Sequence, residues 1–141
     1  WAARCAGPVI AHWPSLYAGP ADVLVASADD LDPETLAAPY RAGRAAVGER
    51  LAWVVVTRGG DGAAAYGPDG EIHVAAPPAV VQDATGAGDI FAAGLLDALV
   101  AGAEMEAALA HACAWGSAAV TLDASAPVDA PPGTFRPFAA G

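Results

Sequence analysis

A continuous apolar run at residues 51–56 constrains the fold of this chain more than any other feature. The run, LAWVVV, is rich in β-branched residues and does not alternate between apolar and polar positions. A strand with that pattern is buried on both faces, as in the middle of a parallel sheet. Two shorter apolar runs bounded by glycine and proline, residues 8–11 and 22–26, predict further buried strands. We therefore expect a sheet with a hydrophobic strand at its centre.

Helical patterns alternate with these strands. An acid, a proline and a glutamate at residues 32–34 supply an N-cap and a favourable first turn, which predicts a helix that continues to Gly48. Apolar residues at four-residue spacing predict a second helix over residues 86–102, and a third is predicted over residues 104–120. The second helix is predicted to begin directly after an extended segment and a glycine-containing turn.

The remaining segments predict a hairpin and irregular structure. Turn residues GPDG at positions 67–70 separate two short segments and predict a β-hairpin. Residues 80–81 predict another short extended piece, and the proline- and alanine-rich tail from residue 124 predicts no regular structure. Strands that alternate with helices around one hydrophobic strand indicate a single α/β domain over residues 1–141 with the hairpin inserted.

Charge excludes several classes of function. The chain has six arginines, no lysine and sixteen acidic residues, for a formal net charge of −10. This balance argues against nucleic acid or an anionic membrane as a partner. Without lysine the chain has no Walker-A lysine and no Schiff-base chemistry. A bound phosphate would rest on backbone N–H groups, helix N-termini, arginines or metal ions. Cys5 and Cys113 form no paired or metal-spaced motif, which favours a cytoplasmic location.

The segment most informative about chemistry is residues 82–94, QDATGAGDIFAAG. Small residues let the backbone approach a ligand, and the unpaired N–H groups of a helix start attract anions. Asp89 in the first helical turn could accept a proton from a hydroxyl that attacks a phosphoryl group held by those N–H groups. The alternative interpretation is a capping acid beside a tight structural turn, and the spacing alone leaves both open.

Residues 83–89, DATGAGD, followed by Phe91 and Gly94, resemble the C-terminal signature of the ribokinase-like carbohydrate kinases of the PfkB type. The resemblance implies a three-layer α/β/α domain with a mostly parallel sheet. It also implies roles for individual residues. The anion hole for the γ-phosphate of ATP would be formed by Gly86, Ala87 and Gly88, and the general base for a sugar hydroxyl would be Asp89. A monovalent cation such as K⁺ would be held by Asp83 and Thr85.

Other segments extend the resemblance. Residues 57–62, TRGGDG, are similar to the family's nucleotide loop, which assigns nucleotide contacts to Thr57, Gly59 and Gly62. Cys113 lies in a segment that resembles the wall of the adenine pocket, although small residues there suit ordinary helix packing equally well. In place of the family's Asn-x-x-Glu motif the chain has Ser27 and Asp30, and the resemblance leaves Asp30 a water-mediated role with Mg²⁺.

The resemblance covers only the C-terminal half of the kinase fold, without the N-terminal sugar-binding residues and the lid. It implies an ATP- and Mg²⁺-dependent phosphotransferase that acts on a sugar or sugar-like molecule, with dimerisation of the complete protein through its lid. We expect the 141 residues alone to be inactive. One alternative is a truncated or diverged nucleotide-binding module without catalysis, and another is a generic flavodoxin-like domain. The three histidines show no metal-ligand spacing and receive no predicted role.

Overall fold

The computed structural model describes residues 7–14 and 19–121. Its strands are β1 (Ile10–His12), β2 (Val23–Ser27), β3 (Trp53–Thr57), β4 (Ala63–Gly67) and β5 (Gly70–Val74). Its α-helices are α1 (Pro33–Ala37), α2 (Pro39–Val47), α3 (Ala87–Val100) and α4 (Met105–Val120). Short 3-10 helices follow β2 at Ala28–Asp30 and β3 at Gly59–Asp61. The predicted irregular tail from residue 124 lies outside the described residues.

All five strands form one sheet in the order β1-β2-β3-β4-β5. The first three strands pair in parallel, β4 is antiparallel to β3, and β5 is antiparallel to β4, so only β4 runs against the others. The run at residues 51–56 supplies the central strand, and Val54, Val55 and Val56 are 0% exposed. The prediction of a central buried strand is confirmed, and the hairpin extends the sheet as its edge.

Helices cover both faces of the sheet. On one face α3 and α4 pack against side chains of alternate strand positions, among them Val23, Val25 and Val55. On the other face α1 and α2 pack against the intervening positions, Leu24 and Val54. Because side chains alternate across a strand, the two sets of valines and leucines separate into two cores. The described residues therefore form the three-layer α/β/α arrangement implied by the resemblance.

One prediction of local structure is wrong, and a second segment forms no strand. The helix predicted from residue 32 to Gly48 is two helices, because Ala38 has φ −148° and ψ 64°. Pro39 follows, and its ring disfavours the helical conformation of the preceding residue. The extended piece predicted at residues 80–81 pairs with no strand, and Val80 and Val81 are 75% and 64% exposed. Two prolines just upstream, at residues 77–78, cannot donate to a strand ladder.

Candidate functional site

Two clefts open at the carboxyl ends of the parallel strands. Open α/β sheets bind ligands at this end of their strands. The first, which we call the polar cleft, has a volume of about 300 Å³ and is lined in part by His12, Ser27, Asp30 and Asp89. The second, the apolar cleft, has a volume of about 460 Å³ and lies between the loop after β3, the proline segment at residues 77–78 and α4.

The two clefts meet at Thr57 and Gly88, which line both of them. Thr57 is the last residue of the central strand, and its hydroxyl donates a hydrogen bond to the Ala26 carbonyl at 3.4 Å. Gly88 lies in the first turn of α3. A ligand that extends from one cleft to the other therefore passes the N-terminus of α3.

The turn into α3 leaves main-chain donors open. Gly86 has a left-handed conformation with φ 77°, which glycine adopts without strain. The Ala87 N–H donates to the Ala84 carbonyl at 3.2 Å, and the first helical bond runs from the Ile90 N–H to the Gly86 carbonyl at 3.1 Å. Within the described part of the chain, the N–H groups of Gly88 and Asp89 make no hydrogen bond. Open donors at the positive end of a helix dipole are of the kind that attract anions.

The segment before α3 is held by α4. The N–H groups of Gln82 and Asp83 both approach the Val120 carbonyl, at 2.7 and 3.2 Å. The Ser117 hydroxyl donates to the Pro77 carbonyl at 3.3 Å. These bonds attach both ends of the residue 77–83 segment to the last turns of α4. The position of the open N–H groups is thus set by tertiary structure and not by the turn alone.

Asp89 projects into the polar cleft on a side chain that is 83% exposed. Its Oδ1 atom lies 3.3 Å from Nε2 of His12, the last residue of β1. Asp30, at the end of the 3-10 helix after β2, lines the same cleft. The structure therefore brings together a carboxylate on a helix start, a second carboxylate and an imidazole, which come from three separate elements.

The glycine loop after β3 is shaped by Gly62. This residue has φ 101°, and a Cβ atom there would overlap the carbonyl oxygen of Val74. Its carbonyl accepts a hydrogen bond from the Arg58 N–H at 2.8 Å, which closes the loop. The Arg58 guanidinium donates to the Tyr66 hydroxyl at 3.2 Å. Of the predicted nucleotide contacts in this loop, Gly59 and Gly62 both line the apolar cleft.

Cys113 belongs both to the core and to the apolar cleft. It packs among the buried residues beneath α3 and α4, and one side of it lines the cleft. Burial raises the pKa of the Cys113 thiol, so the group stays neutral near pH 7. A neutral, weakly polar sulfur suits a wall against a flat apolar ligand.

The residues that the resemblance assigns to a monovalent cation lie beside the turn. The Thr85 N–H donates to Asp83 Oδ1 at 2.8 Å, and neither residue lines either cleft. Positions after Thr121 lie outside the described residues, as does the rest of that assigned site. In residues 7–14 and 19–121, no group of three or more His, Cys, Asp or Glu side chains is placed to hold a metal ion by itself.

The model of the pfkB family of carbohydrate kinases matches residues 15–129 of this chain. The chain belongs to that family. The family assignment removes the generic flavodoxin-like alternative, because it covers the strand, loop and helix that build both clefts.

Named relatives of this pfkB-family chain are kinases. An inositol 3-kinase from Zea mays is 44% identical over 72 residues, which are 51% of this chain and 19% of the maize protein. The structure of aminoimidazole riboside kinase from Salmonella enterica has a TM-score of 0.62 and 32% identity, and the match covers 73% of this chain and 37% of that one. A ribokinase from Thermotoga maritima shares the fold, with a TM-score of 0.69 at 20% identity over 86% of this chain and 45% of that one.

The pfkB-family chain spans less than half of the length of the solved kinases it matches. In the described part of the chain, no helix combines the length and hydropathy that crossing a bilayer requires.

The sequence analysis did not predict that His12 and Trp13 line the polar cleft. Trp13 packs against the core beneath α1 and α2, and it also lines the polar cleft. The available signal was position, since both residues stand at the carboxyl end of a predicted parallel strand.

Proposed function

We propose that this chain is the C-terminal, nucleotide-binding and catalytic half of an ATP-dependent carbohydrate kinase. The observation that carries the proposal is the junction of the two clefts. An apolar cleft and a polar cleft meet at Thr57 and Gly88, with open main-chain donors at the junction and Asp89 on the polar side. Transfer of a phosphoryl group needs donors for its charge and a base for the attacking hydroxyl.

The apolar cleft fits the nucleotide. Its glycine loop, prolines and small helical residues form a wall for a purine ring, and Cys113 and Gly116 lie on the α4 side of that wall. ATP supplies the phosphoryl group that is transferred. Support comes from relatives, because a Salmonella enterica aminoimidazole riboside kinase was solved with its riboside and an ATP analogue. A candidate ribokinase II from Escherichia coli was solved with ATP and Mg²⁺.

The reaction assigns one task to each part of the junction. Asp89 takes the proton of the acceptor hydroxyl while the acceptor oxygen forms its bond to the γ-phosphorus. The bond from that phosphorus to the β–γ bridging oxygen breaks, and its electron pair leaves with ADP. The N–H groups of Gly88 and Asp89, with those of the predicted residues Gly86 and Ala87 around them, face the charge that develops on the γ-phosphate oxygens. The bond from Ala87 to Ala84 makes Ala87 the weakest donor of this set.

Metal ions have two proposed positions. Asp30 is the carboxylate of the polar cleft that would hold Mg²⁺, directly or through water, together with the nucleotide phosphates. This metal would neutralise phosphate charge in a chain without lysine. Asp83 and Thr85 would hold a monovalent cation such as K⁺ behind the turn, where it would stabilise the conformation of residues 83–88.

The acceptor is proposed to be a small polyhydroxylated molecule. The polar cleft offers hydroxyl, carboxylate and imidazole groups beside Trp13, a set that suits a sugar or a cyclic polyol. The names of the relatives, an inositol kinase and a riboside kinase, agree with that class.

The decisive experiment measures turnover and nucleotide binding separately in the complete protein. A panel of sugars and polyols is tested with MgATP, and ADP release identifies the acceptor. Asp89→Asn is expected to lower kcat by about 10²- to 10⁴-fold, because the amide cannot accept the proton. The Kd for the nucleotide should change little. Asp69→Asn, in the exposed hairpin turn, is the control and should leave both values unchanged.

A second candidate function is nucleotide binding without turnover. The observation that favours it is the 83% exposure of Asp89, which a reacting base in a finished site would not retain. If calorimetry of the complete protein shows MgATP binding while no acceptor is phosphorylated, this candidate replaces the kinase. We expect the 141 residues alone to bind the nucleotide weakly at best and to phosphorylate nothing.

A further inference from the structure

We propose that His12 is a positioning residue that holds Asp89 in the orientation in which it accepts the proton. This inference rests on the proposed kinase function. It is carried by the contact of 3.3 Å between His12 Nε2 and Asp89 Oδ1 inside the polar cleft.

Asp89 has little else to hold it. Its side chain is 83% exposed, and in the described part of the chain His12 is the side chain within hydrogen-bond or ion-pair distance of its carboxylate. An exposed aspartate on a helix start samples several rotamers, and only some of them direct an oxygen into the cleft. A group that selects one rotamer before the substrate arrives raises the fraction of productive complexes.

His12 is well placed for this task because its backbone is fixed. It ends β1 and lies opposite Val25 in the parallel ladder. The next residue, Trp13, donates its N–H to the Val25 carbonyl at 2.8 Å and packs against the core. The His12 imidazole is therefore attached to a hydrogen-bonded strand of the sheet, whereas Asp89 belongs to the first turn of helix α3. Their contact connects two elements that both line the cleft.

The chemistry of the pair leaves one carboxylate oxygen for the substrate. The contact is made by one carboxylate oxygen, Oδ1, and Oδ2 does not take part in it. An Nε2–H group of the imidazole can donate to Oδ1 and leave Oδ2 to accept the proton of the substrate. The residues that line the polar cleft include no arginine or lysine, and His12 is the basic side chain among them.

The chain contains a matched control for this pair. His73 Nε2 lies 3.1 Å from Glu71 Oε1 on β5, with side chains that are 59% and 58% exposed. The residues, the geometry and the exposure resemble those of the His12 pair, but neither His73 nor Glu71 lines either cleft. A general effect of losing an exposed histidine–carboxylate pair should appear at both positions, whereas a positioning role should appear only at His12.

The test is a double-mutant cycle on kcat in the complete protein. His12→Ala is expected to lower kcat about tenfold with the KM for ATP unchanged, and His12→Gln, whose amide can still donate, should recover part of the loss. In the Asp89→Asn background, His12→Ala should have no further effect, because the group through which it acts is gone. His73→Ala should leave kcat at its original value.

Three kinds of result would overturn the inference about His12, and the last of them would also overturn the proposed kinase function. If His12→Ala leaves kcat within twofold, or lowers it by the same factor with and without Asp89, then His12 does not act through Asp89. If the histidine ring ¹⁵N resonances of His12 are the same with aspartate and with alanine at position 89, the contact itself is absent in solution. If Asp89→Asn retains full turnover, or the unaltered protein has none, the proposed function has failed.

Discussion

The two clefts of this molecule differ in how completely the chain builds them. Four elements line the apolar cleft, namely the glycine loop, the proline segment, the start of α3 and α4. The polar cleft is lined by strand ends and the start of α3, and its principal groups stay open to solvent, with His12 and Asp89 53% and 83% exposed. The described residues therefore enclose the apolar cleft, proposed for the nucleotide, more completely than the polar cleft, proposed for the acceptor. Binding and turnover should respond to different substitutions.

Beyond Asp89, the largest effect that would sharpen this contrast is expected at Asp30. Asp30→Asn should lower kcat at fixed Mg²⁺ by about 100-fold, because it weakens the side chain proposed to hold the metal, and raised Mg²⁺ should recover part of the loss. The Kd for the nucleotide without metal should not move. Asp29→Asn is the control, since Asp29 stands in the same 3-10 helix but outside the cleft lining. Equal losses at both positions would refute a specific role for Asp30.

A smaller effect, on nucleotide affinity and not on kcat, is expected in the apolar cleft. Gly116→Phe would fill space beside Cys113, so the Kd for the nucleotide should rise at least about tenfold, equivalent to about 1.4 kcal/mol, as measured by calorimetry. A Cβ atom at Gly116 meets its nearest neighbour, Phe91 Cβ, at 3.7 Å, which is ordinary contact. Gly116→Ala should therefore bind normally and stabilise α4 by about 0.5–1 kcal/mol. Normal affinity in Gly116→Phe would mean that the nucleotide binds elsewhere.

The smallest effect is expected at a pair remote from both clefts. The Arg50 guanidinium, which donates to both oxygens of Asp22 at 2.8 and 2.9 Å, lowers the pKa of that carboxyl against the opposing effect of burial. A lowered pKa in the folded state adds stability above the unfolded pKa, and this stability is lost as pH falls through the folded value. Asp22→Asn should thus cost about 1 kcal/mol near neutral pH, and the cost should vanish in acid.

Denaturant unfolding at several pH values measures that cost. Nucleotide affinity and kcat should stay constant throughout, since neither Asp22 nor Arg50 lines a cleft. A change in either one would show that stability and the site are coupled, and it would weaken every comparison above.

Much of the fold could be predicted because its signals are local. The run at residues 51–56 and the four-residue spacing in α3 each fix an element from adjacent residues alone, and the structure confirms both. The break at Ala38 is also a local signal, since Pro39 stands in the sequence, but the apolar spacing of the predicted helix concealed it. Residues 80–81 were assigned from hydropathy, which does not report whether a strand partner is present.

The site could be predicted only in part. The glycine turn and Asp89 were identified from a contiguous motif, and the structure places Gly88 at the junction of the clefts and Gly86 and Asp89 on the polar side. The contact of His12 with Asp89 joins residues far apart in sequence, so no local pattern contains it. The bond from the Ala87 N–H to the Ala84 carbonyl likewise depends on backbone conformation, which residue identities do not specify.

The open amides at Gly88 and Asp89 have a consequence for how this protein can be controlled or can lose function. The proposed phosphate site consists of main-chain N–H groups, so no substitution can remove it by removing a side chain. Within these 141 residues there is also no lysine for an acyltransferase to neutralise. Substitutions near these N–H groups can abolish phosphate binding at the proposed site only by changing the main-chain conformation. A bulky residue in the left-handed conformation of Gly86 would do so. For the proposed kinase, substitutions in this region should therefore change the choice of acceptor more readily than the binding of phosphate.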